Sequence, residues 1–250
     1  MGRFDDKVVW ITGAASGIGR ATAERIASEG GHLICADVQA AEVEATAKRA
    51  IELGGSAIAN VCDVSQEDSV AASLASGLER YGRLDAVCHI AGILRFAHTH
   101  EMDFETWRKV QAVNADGTFL VCRAALPHLL ETGGNIVNMS SAAAVSGLIY
   151  GAAYAASKGA VWSFTKALAI EYAARGVRIN AVCPGGIKTP MTKGGAGLPE
   201  DADMKLVMRQ TPLDHGRGPE TVAALIAFLA SDEAAHINGE DIVIDGGATA

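Results

Sequence analysis

The chain has 250 residues, 49% hydrophobic, 5% aromatic and 20% charged, an ordinary globular composition for which one domain spanning 1–250 is the default. Its 21 basic residues against 29 acidic ones leave a net charge of -8, and no basic run exists to grip a nucleic acid or an anionic membrane surface. No apolar stretch reaches the ~18 residues of a membrane helix, and Arg3, Asp5 and Asp6 open the chain where an export signal would need an apolar core. A soluble, cytoplasmic protein is expected, with Cys35, Cys62, Cys88, Cys122 and Cys183 as reduced, buried thiols.

The first apolar run, Val8–Ile11, reads as a strand and passes directly into Thr12-Gly13-Ala14-Ala15-Ser16-Gly17-Ile18-Gly19, where helical periodicity begins and continues to Glu29. Glycines at such a junction let the backbone turn and approach a pyrophosphate, whose charge the first N–H groups and the dipole of the helix stabilise. The spacing is Gly-x-x-x-Gly-x-Gly, not Gly-x-Gly-x-x-Gly, so a plain tight turn competes with the phosphate site. A second strand, His32–Ala36, ends at Asp37, 18 residues after Gly19, where a carboxylate would bind the adenosine ribose hydroxyls. The same charge would repel a 2′-phosphate by about 4 kcal/mol at contact near a protein surface. Neither Ser16 nor Ala36, Val38 or Gln39 supplies a cation to offset that, so NAD is expected rather than NADP.

A helix over Ala41–Leu53 and a strand over Ala57–Val61 follow, then Cys62-Asp63-Val64, in which Asp63 either meets the adenine edge or caps the next helix, Gln66–Tyr81. A fourth strand, Ala86–Ile90, leads into an irregular stretch from Gly92 to Asp103, and a long helix is expected over Phe104–Leu130. Gly30, Gly54, Gly82 and Gly176 stand where helices end. His98 and His100 lack a third ligand at metal spacing, which leaves them solvated or beside a substrate and implies no metal site.

The fifth strand, Asn135–Met139, precedes an Ala- and Gly-rich stretch and then Tyr154-Ala155-Ala156-Ser157-Lys158 within a helix over Tyr154–Ala174. Residues four apart share a helix face. A lysine cation 4–5 Å from the phenol would favour phenolate by roughly 3–4 kcal/mol, or two to three pKa units, bringing the tyrosine towards neutral titration as a general acid or base. A surface pair is the competing explanation. Strands over Arg178–Cys183 and Asp241–Ile244 flank a second irregular stretch, Pro184–Gly218, and a helix over Glu220–Ser231. Within that stretch Met204, Val207 and Met208 mark one apolar face, either of a packed surface helix or of a lid over a substrate. Long connections at the carboxyl ends of parallel strands are where such α/β proteins bind ligands.

These motifs together closely resemble the short-chain dehydrogenase/reductase family, in its group with subunits of about this length, and the resemblance covers nearly the whole chain. It implies an α/β, doubly wound, Rossmann-like parallel sheet of about seven strands with helices on both faces. In that family a Thr-Gly-x-x-x-Gly-x-Gly turn binds the dinucleotide, and a Tyr-x-x-x-Lys pair, a serine thirteen residues before the tyrosine and an upstream asparagine are catalytic; here they match Thr12 to Gly19, Tyr154 with Lys158, Ser141, and Asn114 in Val113-Asn114-Ala115. By the same resemblance Lys158 also binds the nicotinamide ribose and Asn114 holds a water that relays protons from Lys158 to solvent. Asp63 with Val64, Ala91 and Gly92, and Pro184 with Ile187 and Thr189 complete the expected cofactor set. Ser140 and Tyr150 are expected to line the pocket or serve structure. One departure stands out: the family commonly has Asn-Asn-Ala-Gly where this chain has His89-Ile90-Ala91-Gly92.

The expected function is NAD-dependent interconversion of a secondary alcohol and a ketone; a 3-oxoacyl-thioester (acyl carrier protein) reductase is the alternative, and a non-catalytic dinucleotide-binding protein a third reading. Ile93, Leu94 and Phe96, then Val145, Leu148, Ile149 and Tyr150, then Met191, Leu198, Met204, Val207 and Met208 are expected to surround the substrate. No arginine lies between Ser141 and Tyr154, so a neutral alicyclic or steroid-like substrate is expected, with Arg95, Lys188, Lys193, Lys205 and Arg209 as loop cations in solvent. A homotetramer is implied by the resemblance, with Trp107, Phe119, Trp162 and Phe164 as interface or core.

Overall fold

The computed structural model describes residues 2–193, 197–209 and 216–250. Seven parallel strands form one sheet: β1 (Val8–Thr12), β2 (His32–Asp37), β3 (Ser56–Val61), β4 (Ala86–His89), β5 (Asn135–Met139), β6 (Arg178–Pro184) and β7 (Asp241–Ile244), in the order β3-β2-β1-β4-β5-β6-β7. All six pairings are parallel, with Val9 opposite both Leu33 and Ala86. Each strand lies within about two residues of its expected position.

Alternate side chains of a strand face opposite sides of a sheet, and here both sides are covered. Val9 and Ile11 pack with Ala23 and Ile26 of α1 (Gly17–Ala27), Val43 of α2 (Ala40–Glu52) and Val222 and Ile226 of α10 (Pro219–Ala230). Val8 and Trp10 pack on the other side with Val70 and Leu74 of α3 (Glu67–Tyr81), Val121 and Leu129 of α5 (Gly117–Thr132) and Leu168 of α7 (Ala152–Tyr172). Complete burial of a side chain such as Ile11 or Ile34 contributes about 1.5–3 kcal/mol. The order of the sheet reverses between β1 and β4, which opens a crevice at their carboxyl ends.

The expected glycines Gly30, Gly54, Gly82 and Gly176 all take positive φ where helices end. The single helix expected over Phe104–Leu130 is in fact three pieces: α4 (Phe104–Gln111), capped by Asp103 through the Thr106 N–H, a π-helical turn over Ala112–Asp116, and α5. Apolar periodicity runs on through this junction, so the sequence pattern conceals it. A short helix α6 (Ala142–Ser146), capped by Ser141, follows β5, and two more, α8 (Pro190–Lys193) and α9 (Met204–Met208), lie in the stretch after β6. Of the expected 184–218 loop, residues 194–196 and 210–215 and the side chain at position 193 lie outside the described residues.

All five cysteines are buried and unbonded, and burial alone pushes the Cys35 and Cys88 thiols up to about 12. Among the described residues no helix is long and apolar enough to cross a membrane, and no cluster of three His, Cys, Asp or Glu could hold a metal ion.

Candidate active site

The glycine turn carries the chain from β1 into α1. Gly13 sits at φ +70, and a Cβ there would lie 2.8 Å from the Ala91 nitrogen; at Gly19 it would lie 1.9 Å from the Gly13 carbonyl oxygen. Only glycine lets the turn close and lets β1 and the loop after β4 approach. Helix α1 then begins with no side-chain cap and no acid in its first turn, so its leading N–H groups and positive dipole end face the crevice. At the end of β2, Asp37 accepts hydrogen bonds from the Ala15 N–H and the Gln39 N–H, both at 3.0 Å, which holds the carboxylate beside the turn. The sequence reading overlooked Arg20 here, whose guanidinium donates to the Ala15 carbonyl at 2.5 Å and to Thr46 Oγ1 at 3.2 Å. Asp63 turns inward on its own loop, accepting from the Ser65 N–H and hydroxyl; the residue before α3 is Gln66, so the helix-cap alternative for Asp63 does not hold.

A cavity of about 680 Å³ runs from this turn along the carboxyl ends of the strands. Gly13, Ser16, Gly17, Ile18, Gly19, Asp37, Asp63, Val64, Ala91, Gly92, Ser141, Tyr154, Lys158, Pro184, Ile187 and Thr189 all line it. Asn114 stands just behind the wall. Its Oδ1 accepts from the Ile93 N–H at 2.8 Å, and its Nδ2 donates to the Ile93 carbonyl and to Ser157 Oγ, both at 2.9 Å. A Cβ on Gly92 would press on Asn114 Oδ1 at 3.1 Å and on Lys158 Nζ at 3.3 Å, so this glycine leaves both groups open towards one spot.

Ser141, Tyr154 and Lys158 converge from two directions. Ser141, between β5 and α6, accepts from the Ala143 N–H and donates to the Pro184 carbonyl at 3.4 Å. Tyr154 and Lys158 project from one face of α7, with Lys158 Nζ 5.8 Å from the tyrosine ring centre. Ser140 donates to the Lys158 carbonyl at 2.9 Å and ties α7 to β5. The electrostatics differ from the expectation that the ammonium would draw the phenol down. Burial raises the Tyr154 phenol above its ordinary value, opposed by a hydrogen bond with the Ser141 hydroxyl. Lys158 is itself fully enclosed; burial lowers it to about 8, and its Nζ donates to the Met139 carbonyl at 2.6 Å. The ammonium therefore answers to β5 rather than to the phenol.

The wall beyond Tyr154 is apolar. Ile93, Leu94, Phe96, Leu148 and Met191 line it as expected, whereas Val145, Ile149, Tyr150, Leu198, Met204, Val207 and Met208 do not. Val145, Met204 and Met208 are exposed, and the Tyr150 hydroxyl turns outward to accept from the Asp203 N–H. Several contributors were missed from sequence, among them a cation and the end of the chain. Lys109, one turn before Val113 on α4, adds a cation to the lining, and Ala248 and Thr249 close one side. The terminal turn that brings them in is held by Asp245, which accepts from the Gly247 and Thr249 N–H groups; Asp245-Gly246-Gly247 was the available signal.

A family model described as enoyl-(acyl carrier protein) reductase matches residues 13–249. The chain is 41% identical over 248 residues to a meso-2,3-butanediol dehydrogenase of Serratia marcescens, covering 99% of this chain and 96% of that one. It is 38% identical over 272 residues to a 3beta-hydroxysteroid dehydrogenase of Mediterraneibacter gnavus, covering 100% and 97%. A crystal structure of a dehydrogenase/reductase from Sinorhizobium meliloti superposes with a TM-score of 0.87 at 31% identity, covering 99% and 96% of the two chains.

Proposed function

The chain belongs to the short-chain dehydrogenase/reductase family, oxidoreductases acting on alcohols and ketones, and from that premise we propose that it interconverts a neutral, largely apolar secondary alcohol and its ketone with NAD as the cofactor. The observation that carries this reading is the meeting of Ser141, Tyr154 and Lys158 in one cavity with an uncapped helix start and a fixed Asp37.

The cavity suits a dinucleotide on its own terms: the free N–H groups of α1 would take the pyrophosphate, Asp37 the adenosine ribose, and Ile187 with Thr189 the carboxamide. When bound, the nicotinamide supplies the hydride acceptor for oxidation and the donor for reduction. The protein's own part is the proton. In reduction the Tyr154 phenol gives its proton to the substrate oxygen; in oxidation it first passes its own proton towards solvent and then takes that of the substrate hydroxyl, while the Ser141 hydroxyl orients the substrate oxygen and steadies its partial charge. Lys158, lowered to about 8, is able to give up or take a proton near working pH, with Asn114 holding the neighbouring loop and the water that leads to solvent.

Residues 1–250 act as one cofactor-binding and catalytic unit in this reading, cytoplasmic and assembled as a homotetramer, with the 184–218 stretch on the substrate side. Leu94, Phe96, Leu148 and Met191 favour burial of a hydrocarbon body at about 25 cal/mol per Å². The names of the two relatives bracket its size, one a small diol and the other a hydroxysteroid. Reduction of a 3-oxoacyl thioester is the second reading, favoured by the 40% identity of one relative named as a 3-oxoacyl-[acyl-carrier-protein] reductase and opposed by Asp37, which would repel the phosphate of NADPH. Rates with secondary alcohols, small hydroxy acids and 3-oxoacyl thioesters, each with NAD and NADP in the appropriate redox state, decide between them. Best turnover of an alicyclic or steroidal alcohol with NAD is expected. A preference for hydroxy acids would overturn the neutral-substrate reading and bring in Lys109, and thioester reduction with NADPH would replace the reading altogether.

A further inference from the structure

Three stretches far apart in sequence meet at the substrate end of the cavity, and one cluster outside its lining joins them. His98 Nε2, in the loop after β4, lies 2.8 Å from Asp201 Oδ1. The Tyr150 ring stands edge-on to His98, with centres 5.0 Å apart, and the Tyr150 hydroxyl oxygen accepts from the Asp203 N–H at 2.8 Å. The Tyr150 carbonyl accepts from the Ala97 N–H, also at 2.8 Å. Tyr150 takes φ +58, a left-handed conformation that a residue with a side chain holds only when surrounding contacts impose it. Phe96 and Leu148, each two residues before a member of this cluster, line the cavity, as do Met191 and Thr192 before the 197–209 stretch. Asp203 in turn caps α9 through the Lys205 N–H, so the cluster fixes the start of that helix.

We propose that His98 and Tyr150 are positioning residues for substrate, forming with Asp201 and Asp203 a pH-sensitive clasp that holds the 197–209 stretch against the cavity wall. This rests on assigning that end of the cavity to substrate.

The charged groups facing His98 are Asp201 and, on its own loop, Glu101; His100 faces Asp201 and lies 3.6 Å from Glu101. Asp201 raises His98 above its ordinary value, and His98 lowers Asp201. The sign follows: a raised histidine holds its partner below its titration and releases it as pH rises through it. The clasp is tightest at acid pH and slackens as pH rises through the raised His98 value. The Tyr150 hydroxyl accepts from the Asp203 N–H, a hydrogen bond independent of the contact between His98 and Asp201.

The test uses the full chain and two readouts. Hydrogen–deuterium exchange of 197–209 without ligand, expressed as protection relative to the intrinsic rate at each pH, should fall several-fold from pH 6 to pH 8 in the wild type. H98Q and D201N should show low protection with no pH dependence, and Y150F lower protection at both values. Equal protection at the two pH values in the wild type, matched by the variants, overturns the clasp. In parallel, with cyclohexanol and 2,3-butanediol as probes, the three variants should raise KM for alcohol several-fold while leaving kcat and KM for NAD within about twofold, and the wild-type KM should rise with pH in a way that H98Q abolishes. Altered protection with unaltered KM overturns the positioning role. A wild type inert towards every alcohol tried would count against the oxidoreductase reading alone, and the exchange data would still decide the clasp.

Discussion

Thr12 and His89 face each other across β1 and β4, with Thr12 Oγ1 2.8 Å from His89 Nδ1. The same oxygen accepts from the Ile90 and Ala91 N–H groups, so its own proton goes to His89 Nδ1 and the ring carries its hydrogen on Nε2, buried without a partner among the described residues. His89 thus joins β1 to β4, and Thr12 sets the loop bearing Ala91 and Gly92. Burial, helped by the charge of Lys158, lowers its pKa to about 3. A histidine depressed from 6.5 to that level is protonated first in the unfolded chain, so its contribution is lost as pH falls below about 6.5. Between pH 6.5 and 4.5 this amounts to roughly 2–3 kcal/mol. Urea unfolding at both values should show a steeper acid loss for the wild type than for His89→Asn, and parallel losses would reject the neutral buried imidazole.

Removal of the Tyr154 oxygen should abolish proton transfer and little else. Tyr154→Phe is expected to lower kcat by roughly 10²–10⁴-fold while NAD affinity, measured by calorimetry, changes less than about threefold. Tyr150→Phe should keep kcat. The reverse pattern would move the acid/base role to Tyr150.

Cofactor choice turns on one carboxylate. The wild type should favour NAD over NADP by at least about tenfold in kcat/KM, a gap of 1.4 kcal/mol or more by the usual conversion, and Asp37→Ala should narrow it by relieving repulsion of the 2′-phosphate. Arg20 is held by Ala15 and Thr46, so full reversal is not expected. Comparable efficiency of the wild type with both cofactors would refute the assignment.

Lys158 carries a buried charge that weighs against the fold. Its pKa is lowered from 10.5 to about 8, so the unfolded chain binds the extra proton between those values and stability rises with pH there. At pH 7 the buried charge costs on the order of 3 kcal/mol. Lys158→Met should therefore be inactive yet more heat-stable than wild type at pH 7, with the advantage shrinking by pH 9.5. A variant less stable at both values would mean that the bond to Met139 outweighs the burial of charge.

Assembly follows from what α4, α5 and α7 leave uncovered. Phe104 is 73% and Ile170 82% exposed, and Phe119 and Trp162 are partly so; such aromatic and apolar groups on adjoining helices suit an interface. Light scattering should give a tetramer, or failing that a dimer, and Ile170→Glu should reduce the mass. A monomeric wild type at micromolar concentration would reject it.

The strands were readable because residues such as Val8–Thr12 are buried on both faces and appear as short β-branched runs. That Tyr154, Lys158, Ser141 and the glycine turn share one cavity was readable because they sit at fixed spacings along one or two elements. What escaped depends on contacts distant in sequence. The outward turn of Tyr150 relies on Asp203, and the hydrogen bond that takes the Lys158 ammonium on the Met139 carbonyl; the inward turn of Ala248 and Thr249 relies instead on the nearby Asp245, a turn signal rather than a periodic one. Local periodicity carries no information about any of them.

The π turn at Ala112–Asp116 divides one apparently continuous helix into two with different tasks. Upstream, α4 packs on α7; downstream, α5 packs on α3 and β4. An α-helix advances 100° per residue, and a π turn takes up one residue more than an α turn within about the same rotation, so the extra residue is absorbed locally and the helix on either side keeps its phase. Deleting a single residue there would restore regular winding and leave Val110, Lys109 and Phe104 on their present faces, whereas deleting one within α4 would swing the residues before it by about 100°. This junction is thus a slack turn in the chain, where one residue can be gained or lost without changing which face of α4 looks into the cavity.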